Sequence, residues 1–198
     1  IIVKVNGNQV GETITIATLS EEDKTFTVSK SKPEGGEYTV ELVYSGDTNY
    51  ETKTITGEFA VARNDVTLSQ SSEASIVYGA DETITVSIAG IEGALDPTGT
   101  IKVLVDDVEI GNHSVSDLVF VMVKPVVDVQ HNITVIYSGD NNYNAKTITG
   151  AFAVTQAEVV MSELSPDIDY GADEEITVTI AGDATGTIIR SEERRVGK

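Results

Sequence analysis

The sequence predicts an all-β protein made of two-sheet sandwiches that repeat about every 93 residues. Three observations carry this. Long segments recur at one offset, apolar residues alternate with hydroxyl residues at a period of two, and Gly, Asn and Asp turn signals separate the short runs.

The repeat is the strongest signal. Tyr44-Ser45-Gly46-Asp47-Thr48-Asn49-Tyr50 returns as Tyr137-Ser138-Gly139-Asp140-Asn141-Asn142-Tyr143, 93 residues on. Lys53-Thr54-Ile55-Thr56-Gly57 returns at the same offset as Lys146-Thr147-Ile148-Thr149-Gly150, and both copies continue into Phe-Ala-Val. Tyr78-Gly79-Ala80-Asp81-Glu82 returns 92 residues on as Tyr170-Gly171-Ala172-Asp173-Glu174. The expected division is 1–62 as the C-terminal part of one repeat, 63–155 as a complete repeat, and 156–189 as the N-terminal part of a third. Residues 190–198, RSEERRVGK, hold three of the four Arg of the chain. They resemble the translation of a common sequencing adapter and are set outside the fold as an artefactual tail.

Within the repeats each element has its reason. Ile1 to Val5 reads as a strand, and Asn6-Gly7 suits the positive φ angles of a two-residue hairpin turn before Gln9-Val10. Asp106-Asp107 holds the matching place after the strand of Ile101, Val103 and Val105. Tyr38, Val40, Leu42 and Tyr44 share one face of a strand that ends at Gly46-Asp47. Ile84, Val86 and Ile88 share one face of another, with Thr83, Thr85 and Ser87 on the wet side. Phe26 aligns with Phe120, but Phe26 is flanked by Thr and Phe120 by Val119 and Val121. Leu118 to Val123 is thus apolar on both faces. The expectation is that a neighbouring element covers the outer one, the alternative being an exposed contact patch. No helix is expected. Seven or so short strands per repeat define a tandem Ig-like β-sandwich.

The YSGD-x-N-Y turns at Tyr44 to Tyr50 and Tyr137 to Tyr143 resemble the bacterial Ig-like domain repeats of adhesin-like surface proteins in bacteria and methanogenic archaea. The YGA-Asp openings at Tyr78 and Tyr170 and the Val5-Asn6-Gly7 hairpin extend the likeness over about 1–189. The resemblance implies an extracellular, cell-surface, non-catalytic stalk or spacer. Its partners are then the neighbouring Ig-like repeats of the same chain, with any surface or host ligand held by other domains. Alternatives are a carbohydrate- or calcium-binding module and an accessory domain of a secreted hydrolase.

Composition sets limits. There are 13 Lys+Arg against 32 Asp+Glu, a formal charge of −19, which argues against nucleic acid and anionic lipid as partners. There is no Cys, so disulfides, thiolate metal sites and a cysteine nucleophile are excluded. No apolar run reaches the roughly 20 residues of a membrane helix.

Candidate chemistry is sparse. Asp47 and Asp140 are calcium candidates, with Asp81, Glu82, Asp173, Glu174 and Glu175 as further carboxylates at repeat junctions. Gly-Asp-x-Asn is first of all a turn, because Asp and Asn cap their own backbone, so the expected cofactor is none and calcium the alternative. His113, beside Ser114 and Asp117, is expected in a loop, and His131, aligned with Tyr38, as a packing or corner residue. Asn112 and Asn132 begin glycosylation sequons. Lys53 and Lys146 are expected at solvated strand starts. Residues 1–62 lack the first strands of a repeat and 156–189 supply roughly those, so pieces of two chains can complement each other head to tail.

Overall fold

The computed structural model describes residues 1–19, 26–164, 167, 169–173, 175–180 and 182–189. The tail at 190–198 and Glu174 lie outside the described residues. The chain forms two compact units, Ile1–Thr155 and Gln156–Lys198.

Four strands open the first unit: β1 (Ile2–Val5), β2 (Asn8–Gln9), β3 (Gly36–Tyr44) and β4 (Lys53–Val61). They form one antiparallel sheet in the order β2-β1-β3-β4. Ile16–Thr18 makes a single 3-10 turn. Eight strands follow: β5 (Thr67–Ser71), β6 (Ser75–Val77), β7 (Glu82–Ala89), β8 (Thr100–Val105), β9 (Val108–Ser114), β10 (Val119–Met122), β11 (Asp128–Tyr137) and β12 (Lys146–Thr155). Strands β10-β7-β5 make one sheet and β6-β12-β11-β8-β9 the other. All pairs are antiparallel except β6 with β12. The chain crosses from one sheet to the other between β5 and β6 and four times more before β11 and β12 close it, which is the Ig-like sandwich.

The alternation expected from the sequence becomes the core. Along β7, Glu82, Ile84 and Val86 are buried while Thr83, Thr85 and Ser87 face water. Phe120 comes from the same sheet. Val103, Val105, Ile133, Val135, Tyr137, Phe152 and Val154 come from the facing one. The hairpin turns are built with left-handed residues in both copies: Asn6 and Gly7 at φ 49° and 76°, Asp106 and Asp107 at 49° and 65°.

The first sheet repeats the register of the second. Val5 stands opposite Val40 as Val105 stands opposite Ile133, and Tyr38 opposite Phe59 as His131 opposite Phe152. Two differences have causes. Between Lys124 and His131 the chain holds one residue more than between Lys32 and Tyr38, and the register of β11 shifts there as a bulge. The residues around Phe26, the counterpart of Phe120, form no strand over 26–30. In the sandwich β10 bonds to β7, and among the described residues no strand holds the place of β7 beside the first sheet.

Two expectations are corrected. Phe120 is buried, but Val119, Val121 and Val123 are exposed, so no described element covers the outer face of Leu118 to Val123. Glu82 is no junction ligand: its side chain is fully buried, Oε1 accepts the Glu73 N–H at 2.9 Å, and burial pushes its carboxyl pKa up.

In the second unit β13 (Met161–Leu164) pairs with β14 (Thr177–Ile180). Met161 faces Ile180 and Glu163 faces Val178, as Leu68 faces Ile88 and Gln70 faces Val86 in the sandwich.

The difference in burial sets an expected contrast. Phe152→Ala removes a ring sealed in the core and should cost about 3–5 kcal/mol. Phe59→Ala, at the equivalent but 37% exposed position, should cost less than half as much in dilute solution. Urea unfolding followed by circular dichroism checks both.

Candidate functional site

The Ser-Gly-Asp turn is the most elaborated polar feature of the chain, and it is built from its own sequence. Gly139 takes φ 74°, and a Cβ there would lie 2.7 Å from the Ala145 nitrogen, so the position admits only glycine. The turn closes with the Asp140 N–H on the Tyr143 carbonyl at 3.0 Å. Asp140 Oδ1 accepts the N–H groups of Asn142 and Tyr143 at 2.7 and 2.8 Å. Asp47 repeats this with Asn49 and Tyr50 at 2.7 and 2.9 Å, and Gly46 repeats the left-handed backbone at φ 77°. Tyr44 and Tyr137 each donate a hydroxyl to the aspartate, at 2.5 and 3.1 Å.

Only Asp140 has a further arm. Its Oδ2 also accepts the Thr98 N–H at 2.6 Å and the Thr98 hydroxyl at 2.9 Å, tying β11 to the loop before β8. Partial burial opposes ionisation, but the N–H groups of Thr98, Asn142 and Tyr143 and the Thr98 hydroxyl outweigh it and hold the carboxyl at about 2. Burial, followed by the bond to Asp140, pushes the Tyr137 hydroxyl up to about 12. At Asp47 the Tyr44 hydroxyl and the Asn49 N–H lower the pKa. At Asp140 five protein donors occupy the lone pairs a calcium ion would need, whereas at Asp47 the second oxygen accepts only the Tyr44 hydroxyl. Among the described residues no three His, Asp or Glu side chains cluster as a metal group.

The same turn fastens loops. The Tyr143 hydroxyl accepts the Ile91 N–H at 3.1 Å and donates to the Leu95 carbonyl at 2.8 Å, holding the loop between β7 and β8. Asn142 Oδ1 accepts the Gly35 N–H at 2.8 Å, which brings the loop before β3 onto the sandwich. A Cβ on Gly35 would sit 2.1 Å from the Asn141 carbonyl oxygen, so this approach needs glycine. The Lys32 ammonium donates to the Gly93 carbonyl beside it. Asn64 bridges to Tyr143, and Asn144 donates to Asp65 at 2.9 Å. The junction between the first sheet and the sandwich is thus made by the turn that caps β11.

The other candidates fall apart or become structural. His131 is buried, stacked on Phe152 at 5.0 Å, with Nδ1 2.6 Å from Asp106 Oδ2 and Nε2 2.9 Å from the Val126 carbonyl. Burial pulls its pKa down, but these bonds and the charges of Asp106 and Asp128 prevail, so it is raised. Asp106 is burdened by burial too, and the Asn132 N–H and His131 lower it on balance. His113 stacks on Phe120 at 4.6 Å and lies 3.4 Å from Asp117, while the Ser114 hydroxyl faces Ser116 instead. Asn112 and Asn132 are exposed on β9 and β11. Lys53 is exposed as expected, but Lys146 is not: its ammonium reaches in to the Val66 carbonyl at 2.8 Å and pins β12 near the entry to β5. The junction role of Asn142 and Gly35 escaped sequence reading, although the unmatched Gly35-Gly36 pair in the first copy was a visible cue.

No family model and no curated protein matches the chain. Among solved structures it is similar to the fibronectin(III)-like modules of Clostridium thermocellum CbhA, at 15% identity and a TM-score of 0.41, over 78% of this chain and 77% of that one. The Ig-like class rests on the strand order above. No helix among the described residues is long and apolar enough to cross a membrane.

Two outcomes are expected here. Asp140→Ala orphans the N–H groups of Thr98, Asn142 and Tyr143 and should cost about 1–3 kcal/mol, more than Asp47→Ala. The carboxylate's share of stability is present above its ordinary pKa of 3.8 and is lost as pH falls through about 2, which an acid unfolding series reads. For His131, raised above 6.5, stability is full below that pH and is lost as pH rises through the folded value. Melting temperature should therefore fall as pH rises from 6.5 through the folded value, and His131→Gln should flatten that part of the curve.

Proposed function

We propose that the chain is a run of Ig-like spacer repeats from an adhesin-like cell-surface protein, and that it is not an enzyme. The observation that carries this reading is the doubled Ser-Gly-Asp turn. In both copies the aspartate caps its own backbone, and in the copy at Asp140 the remaining groups are spent on neighbouring loops and on the adjoining sheet. A site of that kind fixes spacing and orientation; it leaves nothing aimed at a substrate. On this reading 63–155 is one whole repeat, with 1–62 and 156–189 belonging to its neighbours. A net charge of −19 keeps such an array soluble and self-repelling, and ligand contact is left to other domains.

The exposed aromatic residues support the same view over the carbohydrate-binding alternative. Tyr50, Phe59, Tyr78 and Tyr170 are exposed, but they fall at turns and on the incomplete first sheet, not side by side along one strand.

Calcium at a hundredfold excess over its Kd would stabilise the fold by about 2.7 kcal/mol. The melting temperature should be the same in millimolar calcium and in chelator. A rise of several degrees with calcium would replace the spacer reading with a cation-binding one. An antibody raised against the chain should label intact cells that express the protein, and labelling only after permeabilisation would sink the surface assignment.

A further inference from the structure

We propose that β10 pairs antiparallel with β10 of a second copy of this chain, so that two sandwiches share one sheet in the order β5-β7-β10-β10-β7-β5. The inference does not depend on the spacer reading. It concerns the sandwich at 63–155, every residue of which is described.

Within that sandwich β10 is an edge strand, with β7 on one side and no strand on the other. The Leu118 carbonyl accepts the Val86 N–H at 2.8 Å, and Phe120 stands opposite Ile84. Backbone groups alternate in direction along an antiparallel strand, so the N–H and C=O groups of Val119 and Val121 point away from β7. No residue of 63–155 bonds to them. The side chains of Val119 and Val121 are 50% and 48% exposed on the outer face. An edge that is open in its hydrogen bonds and apolar in its side chains is a template for a further strand. Strand β9, beside β10 in the facing sheet, is blunted by contrast: its pairing with β8 is broken by a register shift, and it carries Glu109.

Charge selects a second copy as the occupant. From Val108 to Lys124 the sequence has two carboxylates, Glu109 and Asp117, in a chain with 32 Asp+Glu. Glu109 lies 3.3 Å from Lys102, and Asp117 lies 3.4 Å from His113. This side of the sandwich is therefore spared most of the repulsion that an acidic chain directs at its own copies. Leu118 to Val123 is uncharged, with Asp117 before it and Lys124 after it. Antiparallel pairing brings the Asp117 end of each copy to the Lys124 end of the other. With the two-fold axis at Phe120, Val119 of one copy stands opposite Val121 of the other on both sides of the axis. A slip of one residue would set outward valines against inward side chains, which fixes the register. The contact is isologous and closes at two copies. A strand of four residues buries less than the roughly 1,200–2,000 Å² of a stable complex, so the dimer is weak and reversible.

The test uses the full 198-residue chain. Sedimentation velocity up to millimolar concentration should show a monomer–dimer equilibrium and no larger species. Val121→Lys should hold the protein monomeric over the same range. It should leave the melting temperature of dilute protein unchanged, because that side chain already faces water. The sequence has no Cys, so crosslinking can read the register. Directly opposite residues of a bonded pair lie about 5.5 Å apart at Cα, within reach of a disulfide. Val119→Cys mixed with Val121→Cys should therefore oxidise to a covalent dimer several-fold faster than either variant alone. A monomer at every concentration overturns the proposal, as does growth beyond the dimer. A dimer that survives Val121→Lys, or equal crosslinking rates in the mixture and the single variants, overturns it as well.

Discussion

Strand β7 is bonded to β5 on one edge and to β10 on the other, and it turns Ile84 and Val86 into the core. A sheet with one apolar face has to be covered, and in this fold the cover is organised around that strand. Where it is present, β10 forms, Phe120 is buried and the facing sheet loses its water. In the first sheet residues 26–30 form no strand, and Phe59 and Tyr50 are exposed on a sheet whose own hydrogen-bond ladder is intact.

The Ser-Gly-Asp turn behaves in the opposite way. Asp47 and Asp140 make the same backbone bonds at nearly the same distances, although one follows a strand of the first sheet and the other a strand of the closed sandwich. A glycine in the left-handed region followed by a capping aspartate is sufficient for that. What the sandwich adds is the second use of each group. Thr98 joins the Asp140 carboxylate, the Tyr143 hydroxyl finds the loop at 91–95, and Asn142 receives Gly35. A local motif has been recruited as the attachment point for everything near it.

The fold class was legible because strand alternation and turn chemistry are written in adjacent residues. Ile84, Val86 and Ile88 announce their shared face, and Asn6-Gly7 announces its hairpin. The repeat offset carried the register as well, since Val5 with Val40 and Val105 with Ile133 follow from one alignment. Contacts between segments distant in sequence were not legible. Nothing near Lys146 says that its ammonium turns inward to the Val66 carbonyl, and nothing near Glu82 says that its carboxyl is sealed inside. The outer face at Val119 and Val121 was expected to be covered because apolar residues on both sides of a strand usually are. Here β10 lies at the edge of its sheet, and no described element reaches it.

The parallel pairing of β6 with β12 has a mechanical meaning. Ser75, Ile76 and Val77 near the entry of the sandwich run alongside Ala153, Val154 and Thr155 at its exit, and flanking bonds tie Tyr78 to Thr155 and Ala153 to Ala74. Tension applied through the chain drags β6 backward and β12 forward along the same axis. The bonds between them are then loaded in shear, all at once, where an antiparallel hairpin pulled from its open end would unzip one bond at a time. A bead joined in this way resists stretching well beyond what its equilibrium stability alone would suggest.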